Sequence, residues 1–205
     1  MLSPIEMDLR PIAHWVARHL EGIEHEQRVV RIASALFDLT PDLHRLGPRG
    51  RNLLRAAALM HDVGRSIDKA NHPIEGARMI LRDRSLPLTQ AQRRALAFLT
   101  LYHRDTVPVM GREALLRDGD DRASLRKILA ILRTADALDS RSQESPRLTF
   151  AMKKRRLRVT CYLSDVSGKA RKVYQRRKKY RLMEDELGCG VDVDVRSAER
   201  VRQVA

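Results

Sequence analysis

Cysteine is scarce in this 205-residue sequence, which contains only Cys161 and Cys189, at a spacing that fits no common metal motif. Two free, buried thiols are therefore expected, as is typical of a reducing cytoplasm. The sequence also lacks an apolar run of about 18 residues, which argues against a transmembrane helix. Its first ten residues include acidic side chains and no apolar stretch, so they predict no secretory signal. These absences together predict a cytoplasmic protein.

The composition is that of a folded globular protein. Hydrophobic residues make up 43% of the chain, which is an ordinary fraction and argues against disorder. The length suits one sizeable core, or one core with a small appended unit. No internal repeat and no low-complexity linker separates the two ends of the chain, so we expect the tail to pack onto the preceding part.

Positive charge is concentrated in one segment. Residues 150–181 contain thirteen lysines and arginines and a single acidic residue, and they carry +12 of the net +14 charges. Such a segment is typical of a surface that binds a polyanion, such as nucleic acid, polyphosphate or an anionic membrane. The alternative is a solvated helix face and hairpin rim, and the sequence leaves both interpretations open.

Helical periodicity dominates the first two thirds of the sequence. It predicts helices over residues 7–22, 24–39, 53–63, 90–103 and 125–139, and another that begins near Pro73. Residues 40–52, which are rich in proline and glycine, are predicted to form a loop. Gly64 is predicted to end its helix as a left-handed cap.

The pattern changes after Pro146. Residues 148–152 and 157–163 are predicted to form a β-hairpin with a basic turn, followed by a charged helix over residues 169–187 and a strand at VDVDV. The expected fold is mainly α: a helical bundle over residues 1–146 and a small C-terminal α+β unit, made of hairpin, helix and strand, over residues 147–205.

Several ligand-type residues stand on apolar helix faces or at helix ends. His61 and Asp62 end an apolar helix, His25 precedes Val29 by four residues, and Asp136 lies on the apolar face of the last strong helix. Buried groups of this kind require a partner or a metal. Four ligands could therefore meet on one ion, namely His25, His61, Asp62 and Asp136. The sequence leaves open whether one or two ions bind; if a second ion binds, His72 and His103 would serve it and Asp62 would be shared. Such donors suit manganese, nickel, zinc, iron or magnesium.

The motifs AALMHDVG, HPIEGARMIL, YH and LRTADALDSR together resemble those of the HD superfamily of metal-dependent phosphohydrolases. The resemblance implies an HD-type helical bundle in which the same four residues hold the first ion. In two-metal members of the superfamily, Asp62 would bridge to the second ion. Two other branches of that superfamily fit less well. The Gly-Tyr-Pro signature of the cyclic-dinucleotide phosphodiesterases is missing, and Asp68 alone is present where the stringent-response hydrolases have an acidic pair.

A closer resemblance is to the C-terminal domain of the exopolyphosphatase / guanosine pentaphosphate phosphatase family, whose HD-like helices are followed by a hairpin, a helix and a strand. The nucleotide-binding phosphatase domains that normally precede this unit are not found here, so we expect the unit to stand alone, without their activity. Those C-terminal domains often have a weakened His-Asp pair, whereas this sequence has the full ligand set.

The expected activity is hydrolysis of a phosphomonoester, phosphodiester or phosphoanhydride by a metal-activated water, with a nucleotide or polyphosphate as substrate. Asp62, Arg65 and Arg104 are the predicted catalytic residues, the two arginines as phosphate contacts, and Asp105 is a candidate base. The alternative is a non-catalytic module that binds polyphosphate or RNA, or that regulates a partner, with a structural or vestigial metal site. The sequence leaves the oligomeric state open.

Overall fold

The computed structural model describes residues 7–198 except residues 110, 142, 144 and 165. Within these residues the chain forms nine α-helices and one three-stranded sheet. The helices are α1 (Leu9–His19), α2 (Glu24–Leu39), α3 (Pro41–His44), α4 (Pro48–Met60), α5 (His72–Arg82), α6 (Gln90–Leu101), α7 (Arg122–Leu138), α8 (Gly168–Tyr174) and α9 (Arg181–Leu187). The strands are β1 (Arg147–Lys153), β2 (Arg156–Leu163) and β3 (Gly190–Ser197). The predicted mainly α fold with a small C-terminal α+β unit is confirmed.

Helix α4 lies at the centre of the bundle, where it contacts α1, α2, α6 and α7. Its Ala56, Ala57 and Ala58 are fully buried, and small side chains such as these allow neighbouring helices to approach closely. Helix α5 packs against α6 and against the short 3-10 turn Val63–Ser66 that follows α4. The beginnings of α2 and α5 therefore lie near the ends of α4, α6 and α7.

The predicted loop over residues 40–52 is wrong. The structure places α3 and the first residues of α4 in this region. Pro41 and Pro48 each stand at the start of a helix, where the N–H that proline lacks would have no helical partner. The prolines that indicated a loop therefore mark two helix starts.

Gly64 is not the left-handed cap that the sequence predicted. It lies inside the 3-10 turn, and it is not among the described glycines with positive φ. A Cβ atom at this position would lie 2.2 Å from the carbonyl oxygen of His72 and 2.3 Å from the amide nitrogen of Gly76. Glycine is needed here because the backbone of α5 touches the turn, a contact that fixes the start of α5 beside the end of α4.

The three strands form a sheet in the order β1-β2-β3. Strands β1 and β2 pair antiparallel and confirm the predicted hairpin, whose turn residues Lys154 and Arg155 both have positive φ, as hairpin turns of this length require. Strand β3 pairs parallel to β2. Leu157, Val159 and Leu163 of β2 are buried, so the middle strand supplies much of the apolar interior of the tail.

The predicted helix over residues 169–187 is broken in the structure into α8, a 3-10 turn at Arg177–Lys179, and α9. Tyr174 and Tyr180 are both buried, and the Tyr180 hydroxyl donates a hydrogen bond to the Tyr174 carbonyl oxygen. In an unbroken helix, side chains six positions apart would point to different faces. The break allows both rings to enter the core. Gly188, with φ 58°, ends α9 at the same place as the predicted helix.

The tail packs onto the helical part through α7 and α9. Arg126 of α7 forms an ion pair of 2.7 Å with Glu186 of α9, and the buried apolar residues of both parts belong to one core cluster. The division into units at residue 146 stays a prediction. No helix within the described residues is both long and apolar enough to cross a membrane.

Candidate metal centre

All six predicted ligand residues meet at one end of the bundle. They are His25 in the first turn of α2, His61 and Asp62 directly after α4, His72 at the start of α5, His103 just after α6, and Asp136 in the last turn of α7. Five of them are buried, while the side chain of Asp136 is 30% exposed. The cluster is therefore open to solvent on the side of Asp136.

The carboxylate of Asp62 lies between the imidazoles. Its Oδ1 atom is 2.9 Å from Nε2 of His72, 3.4 Å from Nε2 of His103 and 3.9 Å from Nε2 of His61. Its Oδ2 atom is 4.0 Å from Nε2 of His25. The two oxygens thus face different sets of histidines.

The carboxylate of Asp136 lies close to two of the imidazoles. Its Oδ1 atom lies 3.3 Å from Nε2 of His25 and 3.6 Å from Nε2 of His61. Three overlapping groups of side chains have ligand atoms within 4.8 Å of one another: His25, His61 and Asp62; His61, His103 and Asp136; and Asp62, His72 and His103. The predicted first-ion and second-ion residues are therefore neighbours in space.

Each of the four imidazoles is held through its Nδ1 atom by an oxygen. The partners are Asp139 Oδ2 for His25 at 2.8 Å, Ala58 O for His61 at 2.9 Å, Lys69 O for His72 at 2.9 Å and Thr100 O for His103 at 2.7 Å. Because these oxygens accept, each Nδ1 carries the hydrogen. Every ring therefore presents Nε2 to the centre, the arrangement by which outer contacts orient metal-binding histidines.

The Nε2 atoms of His25 and His61 are buried and have no hydrogen-bond partner among the described residues. Buried polar atoms without a partner are uncommon, and each one requires an explanation. A divalent ion beside Asp62 and Asp136 would satisfy both atoms. The nitrogen and oxygen donors present here fit such an ion.

The electrostatics of the cluster favour ionised carboxylates. Burial would raise the pKa of Asp62, but His61, His103 and His72 outweigh burial and hold this pKa far below its usual range. Burial would lower the pKa of His61, but Asp62 and Asp136 raise it to about 9. The raised pKa of His61 means that metal binding at this imidazole would compete with its protonation.

A family model, Ppx/GppA phosphatase, domain III, matches residues 12–169, which is most of the chain. The chain belongs to this family. The match spans all six clustered residues, from His25 to Asp136, and extends through strands β1 and β2. The resemblance to the C-terminal unit of the exopolyphosphatase / guanosine pentaphosphate phosphatase family is thereby confirmed. Membership in Ppx/GppA domain III relates the chain to phosphatases.

Three residues beside this candidate centre were missed by the sequence reasoning. Asp139 accepts from His25 and from Arg28. Arg141 donates from Nε to Asp62 Oδ2 at 2.8 Å and from Nη2 to Glu26 Oε1. Asp139 and Arg141 lie in the motif LRTADALDSR, and Asp139 is one helical turn from Asp136, so their positions carried a usable signal. Glu26 carried none beyond adjacency to His25.

The predicted phosphate contacts differ in their distance from the centre. Arg65 is close, with Nε 3.8 Å from Asp62 Oδ2. Arg104 forms an exposed ion pair of 2.8 Å with Asp105, and its contacts with described residues do not reach the six clustered side chains. The side chain of Asp105 is 72% exposed, which does not favour it as a base.

A basic cleft of about 800 Å³ is lined by Ser140, which follows Asp139 in the chain, and otherwise by residues of the predicted basic segment. Among the residues that the structure describes, the lining contains five cationic side chains and no carboxylate. The lining residues are Ser140, Lys169, Arg171, Lys172, Val173, Gln175, Arg176 and Lys179. Burial lowers the pKa of Lys179, while Asp136 is near enough to oppose that shift. We call this surface the α8 cleft; it is suited to an anion that extends beyond Asp136.

Proposed function

We propose that this protein is a metal-dependent phosphohydrolase that acts on a phosphomonoester, phosphodiester or phosphoanhydride, with a nucleotide or polyphosphate as substrate. The observation that carries this proposal is the set of four imidazoles whose Nδ1 atoms are all occupied, so that four Nε2 atoms converge on Asp62 and Asp136. Membership in a family of phosphatases supports the same reaction class.

In this proposal His25, His61, Asp62 and Asp136 would hold the first ion, which would be manganese, nickel, zinc, iron or magnesium. If a second ion binds, His72 and His103 would hold it together with Asp62. Divalent ions in such sites polarise phosphoryl oxygens and lower the pKa of water. The outer partners supply orientation: Asp139 fixes the His25 ring, and backbone carbonyls fix the other three rings.

The protein's own side chains would neutralise charge on the bound phosphate. Arg65 borders Asp62, and a guanidinium can donate two parallel hydrogen bonds to phosphate oxygens. Arg104 follows His103 directly in the chain and is proposed to contact a more distant part of the substrate. The opening at Asp136 and the α8 cleft would admit the substrate.

Elemental analysis tests the proposal first. The purified protein is reconstituted with manganese, nickel or zinc, desalted and analysed, and its turnover is measured on a panel of phosphoesters and phosphoanhydrides. We expect bound metal and turnover in the wild type, and loss of both in His61→Ala. The matched control His14→Ala changes an exposed histidine of α1 and should change neither. Absence of metal after reconstitution would overturn the site assignment.

The α8 cleft favours a second candidate function, a non-catalytic module that binds polyphosphate or RNA, or that regulates a partner, with a structural or vestigial metal site. Phosphate contacts through lysine and arginine make affinity fall steeply with salt. If metal-loaded protein turns over no substrate of the panel, while binding of polyphosphate or RNA is salt-dependent and unaffected by His61→Ala, this second function is the correct one.

We also propose that the protein works in the cytoplasm. Cys161 and Cys189 are both free and buried in the structure, which supports a reducing environment. Each lies in the tail, where burial raises its thiol pKa.

A further inference from the structure

One arginine outside the predicted ligand set contacts the candidate metal centre from beyond the C-terminal end of α7. Arg141 follows α7 by three positions, donates from Nε to Asp62 Oδ2 at 2.8 Å, and donates from Nη2 to Glu26 Oε1. It therefore connects a candidate metal ligand to a second carboxylate. The proposed ligands of both ions are complete without Arg141 and Glu26.

Glu26 is an unusual residue to find at this position. It is fully buried in α2, beside His25, and its Oε2 atom has no hydrogen-bond partner among the described residues. Burying a carboxylate is unfavourable unless a positive group compensates it. Arg141 is the cation that forms an ion pair with it. The buried charge therefore holds the guanidinium at a fixed place beside Asp62.

The Arg141 side chain is also partly exposed to solvent. Its exposed fraction is 37%, although it contacts two buried carboxylates. Its contacts use one N–H of Nε and one of Nη2, and no described residue provides an acceptor for Nη1. Arg65 approaches the same Asp62 oxygen at 3.8 Å. A fixed, partly exposed guanidinium beside a candidate metal ligand has the donor geometry that recognises phosphate.

We propose that Arg141 binds the substrate phosphate at the centre and that Glu26 positions its guanidinium for this contact. The inference rests on the proposed function, since it assigns a phosphate-binding residue to that same site. It differs from a purely structural role, in which Arg141 would only hold Asp62 in place for the ion.

Binding of inorganic phosphate tests the proposal without requiring turnover. Calorimetric titrations use wild type, Arg141→Gln, Glu26→Gln and the double variant, each reconstituted with manganese and each also after treatment with a chelator. The double variant removes both charges together, so it avoids an unpaired buried carboxylate if Arg141→Gln fails to fold. Arg31→Gln is the matched control, because Arg31 is an exposed arginine on the same helix α2 as Glu26.

We expect Arg141→Gln to keep its metal content and to bind phosphate about tenfold to a hundredfold more weakly, as loss of a charged hydrogen bond implies. Introduced into the wild-type protein, Glu26→Gln should weaken phosphate binding about threefold or more. Introduced into the Arg141→Gln variant, it should have no further effect, because Glu26 acts through Arg141. Arg141→Lys should recover part of the affinity. Where turnover is measurable, Arg141→Gln should change KM and kcat, while Arg31→Gln changes neither.

The outcomes separate the two proposals. Wild type that takes up no metal overturns the proposed function, and the chelator-treated titrations still show whether Arg141 binds phosphate. Equal phosphate affinity in wild type and Arg141→Gln overturns the inference, as does wild type that binds no phosphate at all. A variant that loses metal affinity but keeps phosphate affinity would assign Arg141 the purely structural role.

Discussion

His25 and Asp139 are joined by a buried hydrogen bond of 2.8 Å between Nδ1 and Oδ2. Asp139 is 2% exposed and also accepts from Nε of Arg28 at 3.0 Å. Burial would raise the pKa of Asp139, but His25 and Arg28 outweigh it and lower this pKa. The carboxylate is therefore ionised at neutral pH, and it fixes both the orientation and the tautomer of the ring whose Nε2 atom faces Asp136.

Asp139→Asn should weaken metal binding about tenfold to a hundredfold, the usual effect of losing the outer partner of a histidine ligand. The amide keeps the shape of the side chain but loses the charge that favours Nδ1–H. Competition with a chelating dye measures the affinity. Asp38→Asn is the matched control, because Asp38 forms an exposed ion pair with Arg51 at the other end of the same helix as His25. Unchanged affinity in Asp139→Asn would show that the ring needs no such partner.

Gly64→Ala should destabilise the fold by roughly 1–3 kcal/mol, since a side chain forced into a packed backbone contact is costly. The added Cβ would meet two backbone atoms, which cannot move aside as a flexible side chain can. Denaturant unfolding measures the change. In Gly168→Ala, the first position of α8, a Cβ meets no atom within 4 Å, so stability should stay level or rise slightly. Equal stability of the two variants would contradict the close approach of α5.

Removing two charges from the α8 cleft should weaken polyanion binding and reduce its salt dependence. In Lys172→Gln/Arg176→Gln two lining cations are lost, and the slope of log affinity against log salt should become shallower by about two. Fluorescence titration of labelled polyphosphate or RNA at several salt concentrations measures this slope. Lys153→Gln/Arg158→Gln removes equal charge from exposed positions of the hairpin. If both pairs act equally, binding follows net charge alone and not the cleft.

Cys161 should resist alkylation in the folded protein. Burial raises the pKa of its thiol to about 12, and only the thiolate reacts readily. At pH 8 iodoacetamide should leave Cys161 unmodified in native protein and modify it fully in denaturant, as intact mass spectrometry would show. Rapid modification of the native protein would mean that β2 opens to solvent.

Much of the candidate site could be predicted because polar, ligand-type residues stand where the helical pattern places apolar ones. His61 and Asp62 end an apolar helix, and Asp136 stands on an apolar face, so sequence periodicity alone marks them. Glu26 shows no such conflict: it follows a candidate ligand on a charged helix start, and only the structure reveals its burial. Arg141 belonged to a recognised motif, but its two carboxylate partners are far away in sequence, and no local pattern indicates them.

The fold shows the same division between local and distant causes. The predicted ends of helix α2 match the observed ends, because its apolar spacing covers the same residues as the helix. The role of Gly64 depends on a backbone contact with α5, which lies outside any local window. Likewise, the break between α8 and α9 depends on burying Tyr174 and Tyr180 together, whereas local charge and helix propensity favour continuity.

The parallel pairing of β3 with β2 has a consequence for the growing chain. On the ribosome the hairpin emerges first, and one whole side of β2 lacks its partner until Gly190–Ser197 has been synthesised. Exposed strand edges recruit other chains into aggregates. A nascent or truncated chain that stops before Gly190 should therefore aggregate through β2, even though every proposed ion ligand has already been made.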